Sequence, residues 1–386
     1  MAKVEGHSDP QFSELRSYFE EQIAAGEELG ASICVNIDGK NVVDIWGGWS
    51  DEAKTVPWTQ DTIVNVWSST KTIAALATLI QAERGALSVD DPVSKYWPEF
   101  GENGKDGVLV RHFLSHTSGV SGWEGPITYE EVYDWNLSVS RLAKQAPWWE
   151  PGTQSGYHSV TMGHLLGEIV KRTGGKPMKQ FVAEEIAGPL KADFQIGALE
   201  KDWSRISPVI PPPPMFDFSQ LDPDSLTRKT FANPPIDANV ANTPAWRQAD
   251  LPAVNGHTNA RGLARMLSVI TLGGTVDGVK LLSPETIDSI FRVQSSGVDA
   301  VIGAPLTFGI GYGLADETTR STVPWLPPGN RICFWAGWGG SAGIMDLDRK
   351  ITFAYTMNSM GPGVLGNRRT EEYFKKVYKA LGVEGY

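Results

Sequence analysis

The sequence predicts an α+β protein in which an antiparallel sheet, flanked by helices, carries a mostly helical inserted domain. Three observations lead there. Both ends of the chain pair helical patterns with strand patterns, the middle is helical, and a Pro-rich stretch interrupts that middle. At the start, "PQFSELRSYFEEQIAAG" places apolar residues at helical spacing and stops at Gly26. "ASICVNIDGKNVVDIWGGW" then reads as two strands joined by a tight Asp38-Gly39 turn. Near the end, "RICFWAG" and "SAGIMDLDRKITFAYTMN" read as three more strands, and "TEEYFKKVYKALG" as a closing helix with Phe374, Val377 and Leu381 on one face. Chain ends that share one sheet assign residues 1–60 and 256–386 to a sheet domain and 61–255 to a helical insertion. The middle and the stretch just after it contribute "TKTIAALATLIQAERG", "TYEEVYDWNLSVSRLAKQ", "VTMGHLLGEIVKRTGG" and "TNARGLARMLSVI" as helices. The segment 207–246, with four consecutive prolines, is too long and irregular for a simple connection and reads either as a cover over a cleft or as a passive surface loop.

Composition narrows the partners. A formal net charge of −11 lacks the clustered Lys and Arg that phosphate backbones need, so nucleic acid is not expected. No apolar run is long enough to span a membrane, and "MAKVEGHSDP" lacks the basic and apolar regions of a secretory signal, so a cytoplasmic protein is expected. Two cysteines, Cys34 and Cys333, both in strand-like runs, are too few for a disulfide framework and read as buried thiols. No cofactor is expected, and the oligomeric state is open.

The chemistry concentrates at "NVWSSTKTIA", which puts Ser68 and Lys71 three residues apart where an apolar helix begins. Residues at that spacing share one helix face. A serine in the first turn also has its own N–H among the free donors at the helix's positive end. A basic amine beside a hydroxyl, with an anion-stabilising amide at the same point, is what acyl transfer to serine requires.

The spacing alone is common, but its context is not. Downstream, "EPGTQSGYHSVTMGHLLGEIVKRTGG" sets Tyr157 and Ser159 before an amphipathic helix, and "FWAGWGGSAG" lies between strand-like runs. Serine, lysine, tyrosine and a Gly-rich strand turn in this order resemble the serine β-lactamase and penicillin-binding-protein superfamily. The likeness is strongest to class C β-lactamases and the carboxylesterases often called family VIII. "LSVDDPVSKYWPEF", "VRHFLSHTSGV", "NGHTNARGLARM" and "LTFGIGYGL" extend it from about Ala31 to Met360.

The resemblance implies Ser68 as nucleophile, with Lys71 and Tyr157 as acid and base; which of the two takes the proton stays open. Ser159 stands where the family often has Asn. The family's Lys–Thr–Gly motif corresponds to Trp335-Ala336-Gly337, making Trp335, Gly337 and Ser159 substrate-binding and Trp338 N–H the second oxyanion donor beside Ser68 N–H. The register Trp338-Gly339-Gly340 also fits and would give that role to Ser341. An indole cannot replace a lysine that binds an antibiotic's carboxylate, so a small-molecule ester or acyl donor is expected in place of a β-lactam. Acyl transfer to an alcohol or amine acceptor is an alternative, and an inactive binding protein of the same fold is another.

Two rivals fail on the residues. Gly339-Gly340-Ser341-Ala342-Gly343 matches the α/β-hydrolase nucleophile elbow, but that fold needs a histidine after the serine, and all six histidines precede Ser341. His112 and His116 are four apart without the glutamate of a zinc-protease helix between them, so no metal is expected.

Overall fold

The computed structural model describes residues 3–214 and 217–386. Its main sheet is antiparallel and begins with β1 (Val4–Ser8), β2 (Gly30–Ile37) and β3 (Lys40–Gly48). A small sheet takes β4 (Val64–Asn65), β5 (Phe194–Ile196) and β6 (Gly256–Thr258), and β7 (Thr275–Val276) and β8 (Val279–Lys280) form a hairpin. The main sheet resumes with β9 (Ser295–Val298), β10 (Pro305–Phe308), β11 (Gly313–Leu314), β12 (Ile332–Ala336), β13 (Ala342–Asp346) and β14 (Ile351–Met357). Its strand order is β1-β3-β2-β14-β13-β12-β11-β10-β9, so the two chain ends meet where β2 pairs with β14. The result is the α+β class read from the sequence.

Period-two alternation on β14 shows how the sheet is sandwiched. Phe353 and Tyr355 face the C-terminal helix Arg368–Ala380, where they meet the rings of Phe374 and Tyr373. Thr352 faces the other way and bonds Thr271 on the helix Ala260–Thr271. The N-terminal helix α1 (Ser13–Ala25) ends at Gly26, whose φ of 79° is the left-handed cap that glycine adopts without strain. The C-terminal helix buries Tyr373, Phe374, Val377 and Tyr378, and Leu381 follows it as the half-buried cap.

Most helices lie between residues 70 and 248. Helix α2 (Thr70–Glu83) is buried over nearly its whole length, which explains why it reads as uniformly apolar. "TYEEVYDWNLSVSRLAKQ", read as one helix, is two: Tyr129–Tyr133 and Trp135–Lys144. Asp134 parts them because its carboxylate accepts the N–H of Leu137 and caps the second helix, in an extended backbone that no helix interior tolerates. One continuous hydrophobic cluster runs from the sheet through this helical region. The small sheet β4-β6-β5 also crosses the expected domain boundary, tying Val64–Asn65 and Phe194–Ile196 to Gly256–Thr258. Among the described residues, no helix is long and apolar enough to cross a membrane.

Candidate active site

Ser68 sits at the head of α2, after a sharp turn. Trp67 there has φ of 47°, a left-handed conformation that costs a bulky residue about 1–3 kcal/mol and persists only where its surroundings enforce it. Ser68 itself is 7% exposed, and Lys71, one turn on, is 1% exposed.

Lys71 Nζ lies 3.0 Å from Ser68 Oγ, 2.6 Å from the carbonyl of Ser159 and 3.1 Å from that of Ala253. None of these partners carries a charge, and burial holds the lysine pKa well below its ordinary value. A neutral amine has two N–H bonds and one lone pair. In its neutral form the amine gives its two hydrogens to the carbonyls and turns its lone pair to the Ser68 hydroxyl; protonated, it donates to Ser68 Oγ as well.

Tyr157 completes the chain of contacts. Its hydroxyl donates to Ser68 Oγ at 2.7 Å and accepts the indole N–H of Trp335 at 3.3 Å. Burial raises its pKa, with the hydrogen bonds it makes with Ser68 and Trp335 opposing. With Lys71 neutral, the hydrogen bonds run from Trp335 N–H to Tyr157 O–H to Ser68 O–H to the amine of Lys71. Tyr157 is held from behind by Asp299, whose Oδ1 accepts its backbone N–H at 3.0 Å, and by the rings of His116 and Trp335 at centroid distances of 4.9 and 5.3 Å.

The site opens on a cavity beside Ser68. Trp67, Tyr129, Trp246, Phe231 and Trp338 give it an aromatic wall, with Ser68, Tyr157 and Ser159 at its base. Asp237 is the one charged side chain among the described lining residues. The segment 207–246 supplies Thr230, Phe231, Pro234, Ile236, Asp237 and Trp246 to this wall. Met215 and Phe216, which belong to that segment, lie outside the described residues.

Two residues of the third motif stand apart from the cavity. Trp335 and Gly337 do not border the cavity. Trp335 is buried in a cluster with Tyr157, Phe231, Val301, Leu306 and Phe308, where its N–H serves the Tyr157 hydroxyl. Gly337 faces protein: a Cβ there would stand 2.2 Å from Ser341 Oγ and 2.3 Å from the carbonyl of Val66. In the turn from Gly337 to Ser341, the N–H groups of Gly337, Gly339 and Gly340 bond the carbonyls of Ser341, Gly363 and Gly337. Those of Trp338 and Ser341 have no acceptor among the described residues, and of these two only Trp338 borders the cavity. Ser68 N–H is likewise free of an acceptor among the described residues.

The rival motifs take structural places. His112 Nδ1 accepts the N–H of Leu109, and His116 Nδ1 that of His158. Among the described residues no group of three His, Cys, Asp or Glu is placed to hold a metal ion. Ser341 is followed directly by strand β13, not by the helix a nucleophile elbow needs. Sequence reasoning missed the Ala253 carbonyl and Asp299. The first is a backbone atom that any residue type would supply, and the second lies in "GVDAVIG", which matches no motif.

Together, this topology and a buried Ser–Lys–Tyr cluster at a helix head define a serine hydrolase of the β-lactamase and transpeptidase type. The beta-lactamase family model matches residues 15–377, and the chain belongs to that family. It is 31% identical over 374 residues to the Mycobacterium tuberculosis protein "Esterase/beta-lactamase LipL", covering 93% of this chain and 83% of that one. Among solved structures it is similar to a family VIII carboxylesterase, with a TM-score of 0.90 and 33% identity over 98% of this chain and all of the other. A penicillin-binding-protein homologue from Caulobacter crescentus matches with the same TM-score and coverage at 32% identity.

Proposed function

We propose that the protein is a carboxylesterase that cleaves small or medium neutral esters through an acyl-enzyme on Ser68. The observation that carries this reading is the buried hydrogen-bonded network around Ser68 opening on an aromatic cavity lined by no Lys or Arg among its described residues.

Lys71, as the neutral amine, takes the Ser68 proton while Oγ attacks the ester carbonyl. The oxyanion that forms is received by Ser68 N–H, at the positive end of α2, and by Trp338 N–H. The proton then passes from Lys71 through the Tyr157 hydroxyl to the leaving alkoxide. Water attacks the acyl-enzyme in the second step, with the same groups reversing roles. A substrate carboxylate would find no cation on this wall and would meet Asp237, which disfavours β-lactams. The apolar wall also suits an alcohol as the second nucleophile, so acyl transfer to a small-molecule acceptor is the second reading.

The test is release of p-nitrophenol from p-nitrophenyl butyrate by wild type and by Ser68→Ala. The variant should lose at least about 10⁴-fold in kcat/KM. Equal activity would remove Ser68 as nucleophile. A wild type that neither turns over esters nor takes a fluorophosphonate label would point to a binding protein.

A further inference from the structure

The Gly–Gly–Ser–Ala–Gly stretch that imitates a nucleophile elbow has another use. Ser341 Oγ lies 2.8 Å from the carbonyl of Val66 and 3.1 Å from Ser69 Oγ, and both serines are almost fully buried. A carbonyl only accepts, so the Ser341 hydroxyl donates to Val66 and its oxygen accepts the hydroxyl of Ser69. Val66 O also accepts the N–H of Ser69 at 3.1 Å. These bonds close a ring around Trp67 and Ser68, the two residues between the tied points. Trp67 holds its left-handed φ of 47° inside this ring. Gly337, at the start of the facing turn, lies so close to Val66 O that a methyl group would not fit. The turn that carries Trp338 is therefore seated on the turn that carries Ser68, and the seat is hydrogen-bonded as well as packed.

We propose that Ser341, together with Ser69, is a positioning residue for the oxyanion hole. It ties the turn bearing Trp338 N–H to the turn bearing Ser68 N–H and so sets the distance between the two donors. The inference rests on the reading of Ser68 as nucleophile. An oxyanion hole acts only when its donors are held at the place where charge develops, so loosening one turn weakens the transition state more than the bound ester.

Ser341→Ala and Ser69→Ala test this with p-nitrophenyl butyrate, an alkyl boronic acid that forms a tetrahedral adduct on serine, and fluorophosphonate labelling. Outright removal of an oxyanion donor lowers kcat by about 10²–10³, and loosening one should lower it by about ten- to fiftyfold with KM within about twofold. Affinity for the boronic acid should fall by the same factor as kcat. The double variant should be little worse than either single one, because both hydroxyls belong to one unit. A Ser341→Ala protein with a lower Tm but unchanged kcat and boronate affinity would reduce the serines to packing and overturn the proposal. If Ser341→Ala does not fold, Ser69→Ala decides on the same readouts, since its hydroxyl acts through Ser341. A wild type that is not labelled at Ser68 overturns the nucleophile reading and this inference with it. Labelling at Ser68 with full kcat in both variants overturns this inference alone.

Discussion

Two buried lysines in this molecule have nearly the same surroundings and different consequences. Lys71 and Lys105 are both all but inaccessible, each donates to two backbone carbonyls, and each lies over an aromatic ring. The rings are Tyr157, 4.8 Å from Lys71 Nζ, and Phe100, 5.2 Å from Lys105 Nζ. Burial lowers the pKa of both, and for Lys105 the nearby Glu102 opposes the shift. They differ in the third partner. Lys71 has the Ser68 hydroxyl beside a cavity, whereas Lys105 has no side-chain hydroxyl partner among the described residues and borders no part of that cavity. A buried, depressed lysine is thus not chemistry in itself. It becomes a base where its lone pair meets an acidic hydrogen that a substrate can also reach.

Lys71→Ala should lower kcat/KM for p-nitrophenyl butyrate by about 10²–10⁴ while near-ultraviolet circular dichroism stays native. Unchanged turnover in this variant would remove Lys71 from the proton path and leave the two lysines equivalent.

The pH profile sharpens the contrast. Below the lowered pKa of Lys71 the amine is protonated and its lone pair is gone, so log kcat/KM should fall by about one unit per pH unit on the acid side and level off above it. A phenolate base would behave differently. Burial raises the Tyr157 pKa, so activity would keep climbing into the alkaline range with no plateau, and such a curve would transfer the base role to Tyr157.

The smallest effect on activity belongs to Lys105. Lys105→Met leaves the Gln145 carbonyl without its lysine donor and should cost about 1–3 kcal/mol of stability. Turnover per folded molecule should stay within about twofold, as read from denaturant melts beside active-site titration. A loss of activity comparable to that of Lys71→Ala would mean that burial, and not the hydroxyl partner, makes the difference.

The legible part of the site is the part that local geometry sets. Three residues on a helix place Ser68 and Lys71 on one face wherever the helix goes. The chain-long resemblance implied Tyr157, and the structure brings its hydroxyl to Ser68 Oγ. The places of Trp335 and Gly337 were not legible, because they depend on how β12 and the turn after it pack against Tyr157 and Val66. The break at Asp134 was present as a capping residue inside an otherwise helical pattern, but helical periodicity on both sides concealed it.

The sequence by itself determined the class of fold, the helix that carries Ser68 and Lys71, and the net negative charge of −11. Those properties follow from periodicity, spacing and composition, which neighbouring residues encode. Only the tertiary structure decided the surroundings of Lys71 and the shape of the site. The carbonyls that engage Lys71 come from residues 88 and 182 positions away, and the ring that closes around Ser68 is completed by Ser341, 272 positions from Ser69. Such contacts depend on how distant segments pack, and a lysine's loss of solvent, which moves its pKa, exists only once they have packed.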